Sequence, residues 1–273
     1  MIESDIMNNP FFNQEEQTII DEFLEKGYVI FPLKDIALLN EIKTSVYTWG
    51  TEILQGNNIY GQDHFFDNTH DLISSKELND FRVKMIAQIA KSPQIRSSIY
   101  SLAKPHIEWI AGNELAMQRN CNLMVHLAND NSAIFPIHSD VWSGNSPYEV
   151  VFWFPLVSCY DTKSIYVLPK SESDEVYRNF NNYSHFSASE FYEEIKDRLI
   201  FLDIPFGHGL IFSHALPHGN RLNEENETRW SFDVRFKNVI SPYGNKKLGE
   251  NFLPITIRPA TRMGYHYKKP ELL

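Results

Sequence analysis

The sequence predicts an α+β, mainly-β fold: a barrel or jelly roll with N-terminal helices packed on one face. Amphipathic segments with helix-capping signals run to about residue 112, and beyond that point come short runs rich in β-branched and aromatic residues, separated by turn residues. The third observation is the segment TRWSFDVRF, which alternates strictly between two faces.

The elements follow in order. Residues 14–26 (QEEQTIIDEFLEK) read as an amphipathic helix, with Asn13 as N-cap, Glu16 at N3 and Gly27 as the stop. YVIFPL is a short β-type run closed by Pro32, and residues 34–54 read as helix. Residues 57–73, rich in Asn, Asp and His, read as a polar loop. Ser74 with Glu77 forms a capping box ahead of a helix to about Lys91, and Ser92-Pro93 starts another that runs to about Ala111.

After Gly112 the predicted strands lie in ELAMQRNCNLMVHL, EVVFWFPLV, SIYVLP, RLIFLDIP, GLIFSH and TRWSFDVRF. Residues 171–198 are polar and partly helical and read as an insertion, and the tail 237–273 reads as a basic, loop-like strap. Nothing resembles a linker, so residues 1–273 are expected to form one domain. Its parts are a mainly helical 1–112, a strand-rich core 113–237 carrying the insertion, and a C-terminal extension 238–273.

Composition narrows the function classes. Hydrophobic residues make up 42% and charged residues 22% of the 273, enough apolar material for a core. The net charge of −10 argues against a nucleic-acid groove, which needs a basic face. The longest apolar run, Val150 to Val157, is far short of the ~20 residues that span a bilayer. Two cysteines, Cys121 and Cys159, make no disulfide framework, and the N-terminus carries no secretory pattern. The expectation is a cytoplasmic protein acting on a small molecule, with no nucleic-acid or membrane partner.

The chemistry concentrates in IFPIHSDVW. In a strand, His138 and Asp140 would point to the same side and converge on one metal. A third ligand is expected far along the chain, where FGHGLIFSHALPHGN offers His208, His214 and His218. Two histidines and one carboxylate cover one face of a metal and leave three positions open, as in non-haem Fe(II) oxygenases. His218 is favoured by its spacing to Arg229; His214 reads as a strand-end histidine and His208 as a turn residue. His64, His70 and His126 read as surface or core groups.

In TRWSFDVRF, Trp230, Phe232, Val234 and Phe236 read as a core face, and Arg229, Ser231, Asp233 and Arg235 face the other way. Charge on that second face is tolerable only toward solvent or a wet lumen. An arginine fork with a serine two residues on suits a dicarboxylate.

The ordered set His138-x-Asp140, His218 and Arg229-x-Ser231 resembles the Fe(II)/2-oxoglutarate-dependent oxygenases. The blocks VVFWFPLVSCYDTKSIYVLPKSES and GHGLIFSHALPHGNRLNEENETRWS, with the opening DEFLEKGYVIFPL, are similar to the phytanoyl-CoA dioxygenase-like branch. The resemblance covers residues 14–33 and 115–237. The chain departs from the branch at Thr162-Lys163-Ser164, where a glycine is usual, and at Lys170, which replaces the glycine of a Pro-Gly-Ser turn. HSDVWSGNSPYEVVFWFPL most resembles oxygenases of bacterial carbohydrate or aminoglycoside biosynthetic clusters.

The resemblance implies a double-stranded β-helix (jelly-roll, cupin-like) core. It implies Fe(II) on His138, Asp140 and His218, and 2-oxoglutarate held by Arg229 and Ser231 at its far carboxylate. Dioxygen is the other cosubstrate and succinate and CO2 are products, with hydroxylation of an unactivated C–H of a sugar, sugar nucleotide or related intermediate. Asn122, from the set Gln118, Asn120 and Asn122 on one face of the preceding strand, is expected at the cosubstrate's other end. Trp142, Glu149, Asp233 and Arg235 are the expected substrate contacts.

Two other readings use the same sequence. A cupin-like isomerase or hydrolase could use the metal set without 2-oxoglutarate; Arg229-x-Ser231 argues against it, and metal binding without succinate release would favour it. A non-catalytic carbohydrate-binding jelly roll has no use for an inward histidine pair, and absence of bound iron would favour it.

Overall fold

A computed structural model describes residues 9–55 and 61–269. The helical part holds α1 (Gln14–Lys26), the strand β1 (Tyr28–Pro32), α2 (Ile36–Ile53), α3 (Gln62–Asp67), α4 (Thr69–Leu72), α5 (Ser75–Lys91), α6 (Pro93–Ala103) and α7 (His106–Ala111). There follow β2 (Leu115–Gln118), β3 (Asn122–His126), β4 (Glu149–Pro155), β5 (Tyr166–Val167), α8 (Lys170–Arg178) and α9 (Ala188–Ile195). The chain closes with β6 (Ile200–Phe201), β7 (His208–Ser213), β8 (His218–Gly219), β9 (Arg229–Asn238), β10 (Phe252–Pro254) and α10 (Pro259–His266). No helix among the described residues is long and apolar enough to cross a membrane.

Several local predictions are met. The Asn13 side chain accepts from the Glu16 amide at 2.9 Å, and Gly27 ends α1 at φ 78°, a left-handed angle that glycine adopts at no steric cost. Ser74 and Glu77 cap each other reciprocally at the start of α5.

Other predictions are corrected. The described part of the expected 57–73 loop, from residue 61, folds as α3 and α4; residues 56–60 lie outside the described residues. Phe65 and Phe66 are fully buried there, and their rings pack on Trp230 at 5.4 and 5.3 Å, so tertiary burial overrides polar composition. The helix expected through residue 111 breaks after Ala103, because Pro105 has no amide to continue it. The tail is not all loop: β10 buries Phe252 and pairs with β2, and α10 follows.

The strands form two sheets. A seven-stranded antiparallel sheet runs in the order β1-β7-β4-β9-β2-β10, with β3 also pairing with β9. A three-stranded sheet runs β6-β5-β8. The aromatic stripe of β9 (Trp230, Phe232, Val234, Phe236) is fully buried on the helix side of the large sheet. Trp230 anchors that contact: its ring meets Phe65, Phe66 and Phe81, and its Nε1 donates to Thr69 Oγ1 at 2.9 Å. The insertion (α8, α9) buries Val176, Phe191 and Ile195 against Ile137, Tyr166 and Leu168 beside the small sheet.

Candidate active site

Register decides which side chains meet. Residues directly opposite in paired strands point to the same face of a sheet. Against β9, Asn122 of β3 lies opposite Asp233, Met124 opposite Ser231 and His126 opposite Arg229. On the other flank, Val151 of β4 lies opposite Arg235 and Trp153 opposite Asp233. The charged stripe of β9 therefore faces away from the helices and into a cavity of about 120 Å³ between the two sheets. The large sheet contributes Asn122, Met124, Trp153, Arg229, Asp233 and Arg235; the small-sheet side contributes His138, His218 and Gly219.

His138 and His218 are joined by an isolated antiparallel bridge. Each amide donates to the other's carbonyl, at 3.0 and 2.8 Å, and the ring centroids lie 4.4 Å apart. Each Nδ1 lies against a carbonyl two residues upstream, Pro136 O at 2.8 Å and Leu216 O at 2.9 Å. A carbonyl only accepts, so both Nδ1 atoms carry hydrogen, which leaves Nε2 as the nitrogen a metal would use. Burial, with His138 alongside, pulls the His218 pKa down to about 4, so that ring is neutral at pH 7.

Asp140 does not lie in a strand as expected. It opens a 3-10 turn, Asp140–Ser143, immediately after the bridged residues. Its carboxylate meets Arg235 Nη2 at 3.1 and 3.3 Å and His214 Nε2 at 3.4 Å. Burial works to raise the Asp140 pKa, but Arg235, His214 and His218 outweigh it and hold the group down at about 2. Among the described residues, no three His, Cys, Asp or Glu side chains stand together as a metal-binding group, so the expected set of His138, Asp140 and His218 is not assembled in this arrangement.

Arg229 is 2% exposed, and its Nη1 donates to Ser164 O at 2.9 Å and Lys163 O at 3.4 Å. Burial brings its pKa down to about 10, so it stays charged at pH 7. No carboxylate among the described residues comes within 4 Å of it. Its Nε, Ser231 Oγ and His126 Nε2 are buried and have no hydrogen-bond partner among the described residues. Buried polar groups are normally paired, and a buried unpaired cation is costly, so this cluster is complementary to a missing anion.

The remaining sequence-predicted residues divide. Asn122 and Asp233 line the cavity, the Asn122 amide 3.4 Å from Asp233 Oδ1, but Gln118, Asn120 and Asn122 do not share one strand face. The chain breaks between β2 and β3, where the Arg119 amide leaves to bond Asn251 O. Arg235 lines the cavity and also lies 3.5 Å from Asp233. Trp142 does not line the cavity; it packs on Tyr177, Phe180 and Phe191 of the insertion region. Glu149 is fully buried and lies behind Asp140 instead of facing the cavity. Among the downstream histidines, His208 closes a turn, its amide bonding Pro205 O at 3.0 Å, and begins β7, and His214 is fully buried. The interposed His214 was legible only as a strand-end residue, because its partners depend on the β4/β7 register.

No family model and no curated protein matches the chain. Solved structures do. The carbocyclase SnoK from nogalamycin biosynthesis, a non-haem α-ketoglutarate-dependent enzyme, superposes with a TM-score of 0.57 at 12% identity, covering 90% of this chain and 98% of that chain. EvdMO1 gives a TM-score of 0.50 at 13% identity, over 82% of this chain and 50% of that one. The non-haem monooxygenase ThoJ, in its nickel complex, gives 0.49 at 16% identity over 88% and 84%. At these identities the likeness is one of fold: the chain has the mixed helix and antiparallel-sheet architecture of SnoK.

Proposed function

We propose that this chain is an Fe(II)- and 2-oxoglutarate-dependent oxygenase, one domain built on a double-stranded β-helix, of the phytanoyl-CoA dioxygenase-like branch. The observation that carries the reading is Arg229: a buried, charged guanidinium without a carboxylate partner among the described residues, in the same cavity as two imidazoles whose Nδ1 atoms are tied to carbonyls. That combination fits a diacid that must also reach a metal. SnoK, which shares the fold, is itself an α-ketoglutarate-dependent enzyme.

His138 and His218 would hold the iron as they stand, and Asp140 would join them once its carboxylate turns from Arg235 toward the imidazoles. Arg229 and Ser231 would hold the far carboxylate of 2-oxoglutarate through their unpaired donors, and Asn122 would steady its metal-proximal end. When bound, iron and 2-oxoglutarate supply the oxidising chemistry that consumes dioxygen and releases succinate and CO2. Ser164 and Lys163 carbonyls fix the guanidinium so that it cannot fold back. Trp153 and Phe212 form apolar walls that limit water around the reacting atoms. Asp233 and Arg235, beside the histidines, would contact the substrate.

The proposed substrate is a small molecule of sugar or sugar-nucleotide type and the proposed outcome is hydroxylation. Because SnoK is a carbocyclase, ring closure is the second reading of the outcome. Both unpaired cysteines are buried, in keeping with a cytoplasmic setting. The test is dioxygen-dependent succinate release from 2-oxoglutarate with Fe(II), stimulated by members of a sugar and sugar-nucleotide panel. Product mass separates hydroxylation, which gains an oxygen atom, from loss of a hydrogen pair, and the NMR spectrum of the product then distinguishes ring closure from desaturation. Metal binding without any succinate would refute the reading.

A further inference from the structure

A second cavity, of about 220 Å³, lies where the junction of α5 and α6 meets the break between β2 and β3. It shares no lining residue with the cavity of His138 and His218. Buried Ile89, Ile95 and Cys121 give it an apolar side, and Arg96, Arg119 and Asn120 give it a polar one. Both guanidiniums are fixed by backbone carbonyls. Arg96 Nη2 donates to Met117 O at 3.3 Å and to Gln118 O at 3.2 Å. Arg119 donates from Nε to Glu250 O at 2.8 Å and from Nη2 to Gly249 O at 2.6 Å. Neither Nη1 has a hydrogen-bond partner among the described residues, and Arg96 Nε is buried without one.

Carbonyls orient these cations but do not neutralise them. Among the described residues, the arginines within 4 Å of a carboxylate are Arg198 and Arg235, not Arg96 or Arg119. No Asp or Glu lines the cavity, and burial pushes the Cys121 thiol up to about 12, so it stays neutral. Acidic residues outnumber basic ones 35 to 25 in this chain, yet two arginines stand here side by side without one. Paired, pre-oriented donors with uncompensated charge are complementary to an anion. We propose that this cavity binds a phosphate monoester, with the dianionic head on Arg96 and Arg119 and the organic part against Ile89 and Ile95. Two guanidiniums match the two charges that such a group carries above its second pKa of about 6, where a carboxylate brings one. The apolar side gives the ester's carbon part a contact that inorganic phosphate leaves unused. The site is separate from the oxygenase reading and does not rest on it.

The test is calorimetric titration of the full-length protein at pH 8, in a buffer free of phosphate, with phenyl phosphate and inorganic phosphate as probes. Wild-type protein binds phenyl phosphate saturably and about tenfold more tightly than inorganic phosphate, the value of burying part of the ring. Arg96→Gln and Arg119→Gln each weaken phenyl phosphate about 10–100-fold, as expected for lost hydrogen bonds to a charged group. Arg229→Met, which alters the other cavity, keeps wild-type affinity for phenyl phosphate. Thermal unfolding reports whether each variant folds; should Arg96→Gln fail to fold, Arg119→Gln decides, because that side chain is exposed. Absence of saturable binding by the wild-type protein overturns the proposal. So does binding that Arg119→Gln keeps and Arg229→Met loses, which would place the phosphate in the histidine cavity. Equal affinity for the two probes overturns the monoester assignment.

Discussion

Arg235 and Asp140 form a charge-assisted pair at 3.1 and 3.3 Å inside the cavity wall, Arg235 from the middle of β9 and Asp140 from the turn after His138. The pair satisfies both charges in the metal-free protein. It also sets a competition, because the carboxylate cannot serve guanidinium and metal with the same oxygen atoms.

Arg229 has no such partner, which gives a prediction with opposite signs in two assays. Arg229→Met removes an uncompensated buried charge, so the metal-free protein should lose no stability in urea unfolding. The same variant should bind 2-oxoglutarate about 10–100-fold more weakly, the value of hydrogen bonds to a charged group, while Co(II) affinity is kept. Unchanged 2-oxoglutarate affinity would reject the role given to Arg229.

Gly219 follows His218 in β8 and has no room for a side chain. A Cβ there would lie 2.5 Å from Tyr166 Oη and 2.7 Å from Phe135 O, the second of which is backbone and cannot step aside. Gly219→Ala should destabilise the protein by about 1–3 kcal/mol and weaken Co(II) binding by displacing the His138–His218 bridge. A variant with wild-type melting and metal affinity would contradict the tight packing of Gly219 against Tyr166 and the Phe135 backbone.

Trp230 joins the helical part to the sheet. Trp230→Ala should cost about 3–5 kcal/mol in chemical unfolding, through the lost ring contacts with Phe65, Phe66 and Phe81 and the cavity left behind. A loss below about 1 kcal/mol would show that α3 and α4 are not anchored there.

His106 predicts the acid side of the stability profile. It is 4% exposed, stacked on Phe31 at 3.8 Å, and burial with Lys34 nearby lowers its pKa to about 4. Its folded value lies below the unfolded 6.5, so between pH 6.5 and 4 the unfolded chain binds more protons. Its contribution is complete above pH 6.5 and is lost as the pH falls toward 4, on the order of 3 kcal/mol in total. His106→Phe should flatten the decline in unfolding free energy across that window; an unchanged slope would contradict it.

What could be read from the sequence was whatever is written locally. The caps of α1 and α5 are local hydrogen bonds, and the two faces of TRWSFDVRF are a period-two pattern, so both were legible. The helices α3 and α4 were not, because Phe65 and Phe66 are stabilised by Trp230, over 160 residues away. The break between β2 and β3 was hidden for a like reason: the Arg119 amide bonds Asn251, and its side chain bonds the carbonyls of Glu250 and Gly249, in a tail that reads as loop. At the site, spacing and alternation pointed to the residues that line the cavity, His138, His218, Arg229, Asp233 and Arg235. The Glu149–His214 contact was invisible because it depends on how β4 is registered against β7. Trp142 was read toward the cavity from its nearness in sequence to Asp140, but the turn that begins at Asp140 carries it to the insertion instead.

The central claim is that His138, Asp140 and His218 take one ferrous ion while Arg229 grips the far end of the keto diacid. Its most direct test is the visible absorption spectrum of the anaerobic protein with Fe(II) and 2-oxoglutarate. The account predicts the weak charge-transfer band of a chelated keto acid, absent in His218→Ala and Asp140→Ala and requiring more 2-oxoglutarate in Arg229→Met. A wild-type spectrum that stays featureless at saturating Fe(II) and 2-oxoglutarate, or a band that survives both alanine substitutions, would contradict it.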